Sequence, residues 1–483
     1  MAEKRASKSD AQPQKVDLLL SGCDVVTIDG KNSVIRDGAV AIKGNRIVWI
    51  GKASAAKRRV TATSTIDGSG QIAMPGLIDA HVHTAQTLLR GKIAEIGQRR
   101  QVKIPIWRNY YIPFEGMLTD EDVYLSGLLC YANMISVGTT CFAEAGGPHP
   151  DAMGRAAIDI GIRGFVSLNT VDQGAGVPKT MIASTQQCYD RNVALVKRWQ
   201  AKAQGTARGT AQGTAQGTDR VQAWLSLRQI IVCSPELIKA MAEAARALDV
   251  KIHTHLCEGV YEIDYALEKF GKRPTEYLRD LGALDRHMHC AHSVLLSAEE
   301  MDLYVKHRPS ACHCAFNNYH IGPHRLSEMW RRGIDIGLGT DGAASWGSLD
   351  IFQVAHMARV GQQAVMGTPV AYRNVMPSEE ILKVATNGGA RALGIEKEIG
   401  SLEVGKKADI LLVDRNQLDH LPLYDPYFVA ANTVVGRDVR TVVVDGKVVM
   451  KDRELLTVDR EEIDRRLAER LPKLMERFDT MTA

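Results

Sequence analysis

Apolar, strand-like runs alternate with helical patterns along the central part of the chain, from 73 to 402. The helical pattern of Asp151–Gly161 precedes I-R-G-F-V-S-L, and that of Pro235–Leu248 precedes V-K-I-H-T-H. Alternation of this kind builds parallel sheets covered by helices. Polar residues recur where the strand-like runs end, and a barrel gathers such ends at one face. The sequence therefore predicts an α/β fold, a (β/α)8 TIM barrel over 73–402, rather than an open sheet.

Short β-branched runs at both ends of the chain predict a second, smaller domain. Val16–Ile72 contains four such runs separated by D-G and G-N turns, and Ala408–Val413 and Val439–Met450 have the same character. We expect the two ends to form one composite β-sandwich domain. The predicted organisation is a disordered tail over 1–15, the sandwich over 16–72 plus 403–457, the barrel over 73–402 and a C-terminal helix over 458–483.

Composition restricts the class of protein. The chain has 483 residues, of which 45% are hydrophobic and 24% charged, as in soluble globular proteins with more than one core. A net charge of +4, without Lys/Arg runs among aromatics, argues against nucleic-acid partners. No apolar stretch approaches the ~20 residues of a membrane span, and the polar N-terminal stretch is unlike a secretory signal. Nine scattered cysteines fit reduced thiols, so we expect a cytoplasmic protein.

A Gly-Thr-Ala repeat occupies Gly205–Thr218. Small residues without apolar periodicity cannot bury a core, so the repeat is interpreted as a flexible surface loop. A lid over the functional site is the alternative interpretation.

Two histidines, His81 and His83, end the apolar run M-P-G-L-I-D-A-H-V-H-T. Because side chains alternate along a strand, residues at i and i+2 point to the same side, as two ligands of one metal ion must. The pair alone is a weak signal, since surface or hydrogen-bonded histidines occur at the same spacing. Its weight comes from similar residues at other strand ends.

The run V-K-I-H-T-H-L-C-E supplies a third histidine and a carboxylate. His255 ends the strand-like part, and Glu258 follows three residues later, where a turn can bring it beside a metal-activated water. His253 also points inward by periodicity and competes for the ligand role. The spacing to Glu258 favours His255.

Two further strand ends complete the predicted site. In R-H-M-H-C-A-H-S, His289 is the candidate for bonding the activated water or a developing oxyanion, whereas His287 and His292 are interpreted as packed or surface residues. The run I-D-I-G-L-G-T-D-G-A-A-S offers Asp341 as the last ligand and as the base that takes a proton from water. Any one of these residues alone is more often a satisfied polar side chain.

Three histidines and one aspartate make a mononuclear site with a position open for water, whose pKa a divalent ion lowers toward ~7. This donor set suits Zn²⁺ first, with Fe²⁺, Co²⁺ and Mn²⁺ as rivals. Cys312 and Cys314 flank a histidine and resemble a thiolate cluster, but without a partner pair they are interpreted as buried, inert thiols.

Six motifs together resemble the amidohydrolase superfamily, in its branch of hydrolytic deaminases and s-triazine hydrolases. They are P-G-L-I-D-A-H-V-H, L-L-R-G, H-L-C-E, H-C-A-H, G-T-D-G-A-A-S and G-S-L-E-V-G-K-K-A-D-I. The resemblance extends from about residue 16 to the C-terminal region. It implies a TIM barrel with a composite β domain and a homodimeric or homotetrameric assembly.

The resemblance also implies roles for individual residues. Metal binding falls to His81, His83, His255 and Asp341. Glu258 would shuttle protons, and His289 would orient water and substrate. Dinuclear members carry a carbamylated lysine at the fourth strand, and A-W-L-S-L-R-Q offers no lysine there, which supports a single metal.

The chain departs from the family where substrate is chosen. Arg228 and Gln86 match an arginine and a glutamine of guanine deaminases, and a guanidinium could donate to carbonyl and ring-nitrogen acceptors. Asn318 is retained from the motif H-N/C-P-x-S-N, although A and N replace its proline and serine. The other predicted substrate contacts are Trp107 and Ser345. Glu115, like Trp107, is equally well explained by packing or a surface pair.

The sequence therefore predicts a metal-dependent aminohydrolase acting on a purine, pterin or triazine type of ring. An amine leaves poorly without a proton, whereas chloride does not need one, so the presence of Glu258 favours deamination. Hydrolysis of a chlorinated or alkylamino triazine, or of a cyclic amide, is the alternative. A non-enzymatic scaffold is disfavoured because all four ligands and the acid are present.

Overall fold

The structure is a computed structural model that describes residues 12–174, 177–203, 219–366 and 375–482. The predicted loop over 205–218 and most of the predicted tail lie outside these ranges. Among the described residues, no helix is both long and apolar enough to cross a membrane.

The strands of the described residues are numbered in chain order. They are β1 (Gln14–Val26), β2 (Val34–Lys43), β3 (Arg46–Lys52), β4 (Val60–Asp67), β5 (Gln71–Pro75), β6 (Leu77–Val82), β7 (Thr139–Glu144), β8 (Arg163–Val166), β9 (Val221–Ala223), β10 (Leu225–Leu227), β11 (Ile252–Leu256), β12 (Met288–His292), β13 (Ser310–His313), β14 (Ile336–Leu338), β15 (Ile410–Asp414), β16 (Val439–Val444), β17 (Lys447–Lys451) and β18 (Glu454–Leu455).

The α-helices are numbered in the same way. They are α1 (Ala53–Arg59), α2 (Lys92–Arg99), α3 (Ile112–Met117), α4 (Asp120–Ser136), α5 (Pro150–Ile160), α6 (Thr185–Ala203), α7 (Pro235–Leu248), α8 (Val260–Phe270), α9 (Pro274–Asp280), α10 (Ala298–His307), α11 (Ala315–Ile321), α12 (Leu326–Arg331), α13 (Ala343–Trp346), α14 (Ile351–Val365), α15 (Ser378–Lys383), α16 (Gly389–Leu393), α17 (Pro426–Asn432) and α18 (Arg460–Thr482). Short 3-10 helices span Thr84–Leu89, Leu418–His420 and Gly436–Asp438, and π-type turns span Trp107–Tyr111 and Val384–Gly388.

Strands from both ends of the chain form one nine-stranded sheet. Its order is β18-β17-β16-β15-β5-β1-β2-β3, and β4 pairs with β1. The junction of the two ends is the antiparallel pairing of β15 with β5. A small core that includes Leu20, Ile42, Ile410 and Val443 belongs to this sheet. The predicted joining of the two chain ends is thus present, whereas the limits of the predicted domains stay predictions.

The first strand begins within the predicted N-terminal tail. Gln14 and Lys15 pair in parallel with Val60 and Thr61 of β4, so β1 begins two residues before the predicted start of the sandwich at residue 16. Polar side chains do not prevent this pairing, because backbone groups make the ladder hydrogen bonds.

Parallel strands form the central barrel. β6 to β9 make one four-stranded sheet and β10 to β14 a five-stranded sheet, and only Trp224 separates β9 from β10. Near the other seam, the Asp341 N–H donates to the His81 carbonyl at 3.0 Å, which ties the end of β14 to β6. Because β9 and β10 together occupy one strand position, eight strand positions close into a barrel, and the predicted (β/α)8 fold class is confirmed.

The helix α18 packs beside the segment that follows the first barrel strand. Phe478 is fully buried, and its ring lies edge-on to Phe114 with 5.5 Å between ring centroids. At the end of the helix, Lys92 contacts Asp479 at 2.9 Å. This packing supports the segment that carries Tyr111 and Glu115 to the carboxyl end of the barrel.

Candidate active site

Three strand ends bring the four predicted metal ligands together. His83 Nε2 lies 3.1 Å from His255 Nε2 and 3.7 Å from Asp341 Oδ1. His81 Nε2 lies 3.1 Å from the same aspartate oxygen. All four side chains are buried, although β6, β11 and the segment after β14 are far apart in sequence. Parallel strands end at one face of a barrel, and that is why these residues meet.

His255 presents a lone pair rather than a proton to the centre of this cluster. His255 Nδ1 lies 2.7 Å from the Arg228 carbonyl and must donate to it, so His255 Nε2 carries the lone pair. Burial lowers the pKa of His83 to about 3, and burial together with the neighbouring imidazoles lowers that of His255 well below 6.5. Neutral imidazoles facing a carboxylate are the donors that a divalent metal ion requires, so the residues present fit such an ion.

The backbone at Asp341 is bent to aim its carboxylate. Its φ is +60°, in the left-handed region that aspartate tolerates better than most side chains. Ser345 Oγ donates to Asp341 Oδ2 at 2.8 Å, so one oxygen is held while Oδ1 faces the histidines. Ser345, predicted as a substrate contact, is thus placed as a support for Asp341.

His253 lies behind His81 rather than in the donor cluster. Its Nε2 is 2.8 Å from His81 Nδ1, and its burial lowers its pKa to about 3. The contact orients the His81 ring so that Nε2 points toward Asp341. The structure thus separates two competing histidines: His255 lies in a group of side chains that could hold a metal ion, and His253 contacts one member of that group from behind.

The structure does not support the role predicted for His289. Its Nε2 lies 2.8 Å from the Ala80 carbonyl and its Nδ1 lies 2.9 Å from Ser310 Oγ, so both ring nitrogens are used below the cluster. His292, interpreted from sequence as a packed residue, takes that place instead. Its ring centroid lies 5.0 Å from that of His81, and its Nε2 lies 4.0 Å from Glu258 Oε1.

A change of backbone conformation explains this difference between the sequence prediction and the structure. His289 of β12 pairs in register with His253 of β11, so the two side chains are expected on the same side of the sheet. Because side chains alternate along a strand, His292, the last residue of β12, is expected to point to the opposite side. However, His292 has φ +70° and Ser293 has φ +51°, so the left-handed backbone turns the His292 side chain over the barrel mouth. Periodicity contains no signal for such a turn. The only hint was a histidine at the very end of an apolar run.

Asn318, predicted to bind substrate, holds His292. Its Oδ1 lies 3.0 Å from His292 Nδ1, and its Nδ2 donates to the His292 carbonyl at 3.2 Å and contacts His313 Nδ1 at 2.9 Å. The amide is fully buried, and both of its N–H donors are used within the protein. His292 Nε2, in contrast, is buried without a hydrogen-bond partner among the described residues. Asn318 therefore fixes the ring and leaves this nitrogen facing the site.

Glu258 is the most accessible carboxylate beside the donor cluster. Its side chain is 16% exposed, whereas that of Asp341 is 8% exposed. Burial lowers the pKa of His292, but the Glu258 carboxylate and Cys314 raise it, so that the pKa lies well above 6.5 and Nε2 carries a proton. The structure thus brings a carboxylate and a hydrogen-bond donor to one side of the cluster.

The predicted substrate residues Gln86 and Arg228 meet at Glu115. Gln86 Nε2 donates to Glu115 Oε1 at 2.6 Å, and Arg228 NH1 donates to Oε2 at 2.8 Å. Asn169 Nδ2 also donates to Oε2, at 2.8 Å. Glu115 is buried, so it is not the surface pair that its sequence context allowed. Trp107, also predicted, lies with its ring centroid 6.3 Å from that of Tyr261.

His292 and His289 can be separated by mutation. We expect His292→Asn to lower kcat by about 10²-fold or more, because a hydrogen bond to the developing anion is lost. His289→Asn should lower the melting temperature while changing kcat much less, since the two ring nitrogens of His289 are held by Ala80 and Ser310 below the cluster. Steady-state kinetics and thermal unfolding of both variants check the assignment. A larger loss of kcat in the His289 variant would restore the role predicted from sequence.

A buried carboxyl beneath the site should make stability depend on pH. Burial raises the pKa of Glu144 from 4.5 to about 8, and its Oε2 accepts the Thr84 N–H at 3.0 Å. Because the folded protein holds this proton more tightly than the unfolded chain, the contribution of Glu144 is full below pH ~4.5 and is lost as pH rises to ~8. The free energy of unfolding should therefore fall across this window by up to about 1.4 kcal/mol per pH unit.

Glu144→Gln should remove this component, since an amide keeps the acceptor and does not ionise. Denaturant unfolding of the wild-type protein and the variant at several pH values measures the difference. A wild-type protein that gains stability relative to the variant as pH rises would contradict the assignment.

Residues 72–449 match the model of the amidohydrolase family. The chain is 32% identical over 461 residues to a 5-methylthioadenosine/S-adenosylhomocysteine deaminase of Moorella thermoacetica, covering 94% of this chain and 99% of the relative. A protein of the same name from Pelotomaculum thermopropionicum is 31% identical over 462 residues, covering 95% and 99%.

Solved structures share the fold. An adenosine deaminase from Xanthomonas campestris with bound zinc superposes with a TM-score of 0.85 at 26% identity, covering 97% of this chain and 100% of its own. The atrazine chlorohydrolase of Arthrobacter aurescens, complexed with zinc, gives a TM-score of 0.81 at 24% identity and covers 94% of this chain and 100% of its own. At that identity, the second likeness shows the fold alone.

Proposed function

The chain belongs to the amidohydrolase family, and we propose that it is a metal-dependent hydrolytic deaminase that releases ammonia from an amino-substituted N-heteroaromatic ring. One observation carries the proposal: Glu258 and His292 Nε2 stand together beside a cluster of neutral imidazoles and one carboxylate. Removal of an amine needs a proton donor at the ring, and Glu258 supplies it. The names of the deaminase relatives favour a purine-type ring.

Four residues would hold the metal ion in this proposal: His81, His83, His255 and Asp341. A divalent ion bound there supplies Lewis acidity and lowers the pKa of water toward ~7. Zinc is the ion we propose, because nitrogen and carboxylate donors suit it and the related adenosine deaminase contains it; iron is the rival.

The protein's own residues would carry the protons. Asp341 accepts a proton from water at Oδ1 while Ser345 holds Oδ2. Glu258 delivers a proton to the ring nitrogen, and His292 donates a hydrogen bond through Nε2 to the anion that develops at the attacked carbon. The amine then leaves as ammonia.

The wall beside the cluster suits an uncharged ring. The Arg228 guanidinium is already paired with Glu115, so the two charges cancel. Gln86 Oε1 is buried without a partner among the described residues and can accept from a ring N–H. Trp107 adds an aromatic surface. We therefore propose Gln86, Arg228 and Trp107 as the substrate-binding side chains.

The surroundings of the enzyme are part of the proposal. All nine cysteines are buried free thiols, which agrees with a reducing cytoplasm. We expect a homodimer or homotetramer. Its ligand is a small N-heterocyclic substrate, and it binds neither nucleic acid nor a membrane.

A substrate panel tests this function. Metal-replete protein is incubated with aminopurines, pterins, aminopyrimidines and triazines, and ammonia, chloride and alkylamine are measured together. We expect ammonia from at least one aminated ring. Release of chloride or alkylamine without ammonia would establish the triazine alternative, and no release from any ring would contradict the proposal.

A further inference from the structure

Two side chains that the proposed reaction does not use hold the carboxylate of Glu258. Its Oε2 accepts a hydrogen bond from the Tyr261 hydroxyl at 2.9 Å and one from Gln229 Nε2 at 3.3 Å. Gln229 Nε2 also donates to the Tyr261 hydroxyl oxygen at 3.1 Å. The three side chains therefore form a closed triangle of hydrogen bonds.

Three separate elements supply this triangle. Gln229 follows β10, Glu258 lies in the loop after β11, and Tyr261 is in the first turn of α8. The loop is also fixed by its backbone, since the Glu258 N–H donates to Glu262 Oε2 at 2.9 Å. Glu258 is thus restrained at both its main chain and its side chain. This restraint costs side-chain conformational entropy, because a freely rotating carboxylate has more conformations available.

We propose that Tyr261 and Gln229 are positioning residues that reserve one oxygen of Glu258, Oε1, for proton transfer. The inference rests on the proposed function and deepens it. Both hydrogen bonds fall on Oε2, so its lone pairs are used. Oε1 receives neither bond, and it is the oxygen that lies 4.0 Å from His292 Nε2. Without the triangle, the broad terminal torsion of a glutamate would let the two oxygens exchange places.

In this reaction Oε1 first accepts a proton and then donates it. The water oxygen forms a bond to the ring carbon while one water proton passes through Oε1 to the ring nitrogen. The second water proton, taken up by Asp341 Oδ1, passes to the amine, the C–N bond breaks and ammonia leaves. The ring keeps the oxygen, and Glu258 ends the cycle in the state in which it began.

Tyr261→Phe tests the inference. We expect kcat to fall by about 10- to 100-fold with KM changed by less than about threefold, because misplacing a proton carrier affects the reacting state more than binding. Metal content should stay as in the wild type. Tyr265→Phe removes the same hydroxyl one turn further along α8 and should change kcat by less than about twofold.

A double variant distinguishes positioning from a general structural effect. In the Glu258→Gln background, Tyr261→Phe should cause no further loss of kcat, since the triangle then has no proton carrier to place. Equal losses in both backgrounds, or a Tyr261→Phe enzyme with wild-type kcat, would overturn the inference while leaving the proposed function intact.

Crystal structures provide a readout that does not depend on turnover. Glu258 should adopt one conformer in the wild type and more than one in Tyr261→Phe and Gln229→Leu. A single unchanged Glu258 conformer in these variants would overturn the inference. If the wild-type enzyme releases no ammonia from any ring, the proposed function fails, and the crystal structures alone decide whether Glu258 is positioned as inferred.

Discussion

Replacing Glu258 by glutamine should lower kcat for ammonia release by about 10²- to 10⁴-fold, the range that a general acid–base group contributes. Glutamine has nearly the same shape, and its carbonyl oxygen can still accept the Tyr261 hydrogen bond. It cannot, however, take up and return a proton. The loss should therefore appear mainly in kcat, while the metal content, KM and melting temperature stay close to those of the wild type.

Glu268→Gln is the matched control, because it makes the same chemical change on the exposed side of α8. We expect its kcat to lie within about twofold of the wild-type value. Steady-state ammonia release and metal analysis of both variants provide the comparison. A Glu258→Gln enzyme that keeps wild-type turnover would remove Glu258 from the reaction and, with it, the main argument for deamination.

Asp341→Asn should cause a loss at least as large, since the proposed mechanism uses this one side chain as both metal ligand and base. The amide keeps one oxygen donor but loses the negative charge and the capacity to accept a proton, so kcat should fall by about 10³-fold or more. The affinity for the metal should fall as well, because Asp341 Oδ1 lies within 3.7 Å of both His81 and His83 nitrogens. Kinetics at saturating metal separate the two effects.

Ser345→Ala is the control for this variant. It removes the hydroxyl that holds Asp341 Oδ2 but leaves the carboxylate itself. Loss of an outer hydrogen-bond partner typically reduces metal affinity or activity by about 10- to 100-fold, less than loss of the ligand. If Ser345→Ala were as damaging as Asp341→Asn, or if Asp341→Asn kept full activity at saturating metal, Asp341 would not be the base.

The elements that could be predicted from sequence are those governed by local rules. Alternation along a strand placed His81 and His83 on one side, and the parallel arrangement of strands brought His255 and Asp341 to the same face. The strand character of both chain ends indicated the shared sheet. These inferences needed no knowledge of distant contacts.

The remaining features depend on contacts or backbone angles that a single sequence does not display. Arg228 and Glu115 form an ion pair although 113 positions separate them. Asn318 holds His292 across 26 positions, in a ring orientation that follows from a φ of +70°. Left-handed backbone at a non-glycine residue is uncommon, and strand periodicity does not anticipate it. The sequence therefore pointed to His289, rather than His292, as the histidine beside the activated water.

Metal titration of the apoprotein tests the central claim most directly. Zinc is added in steps to chelator-treated protein, and bound metal and ammonia release are measured on the same samples. We expect activity to rise in proportion to bound zinc and to reach its plateau at one ion per chain, with no such rise for Asp341→Asn. Full ammonia release from metal-free protein, or a plateau that requires two ions per chain, would contradict a single catalytic metal held by His81, His83, His255 and Asp341.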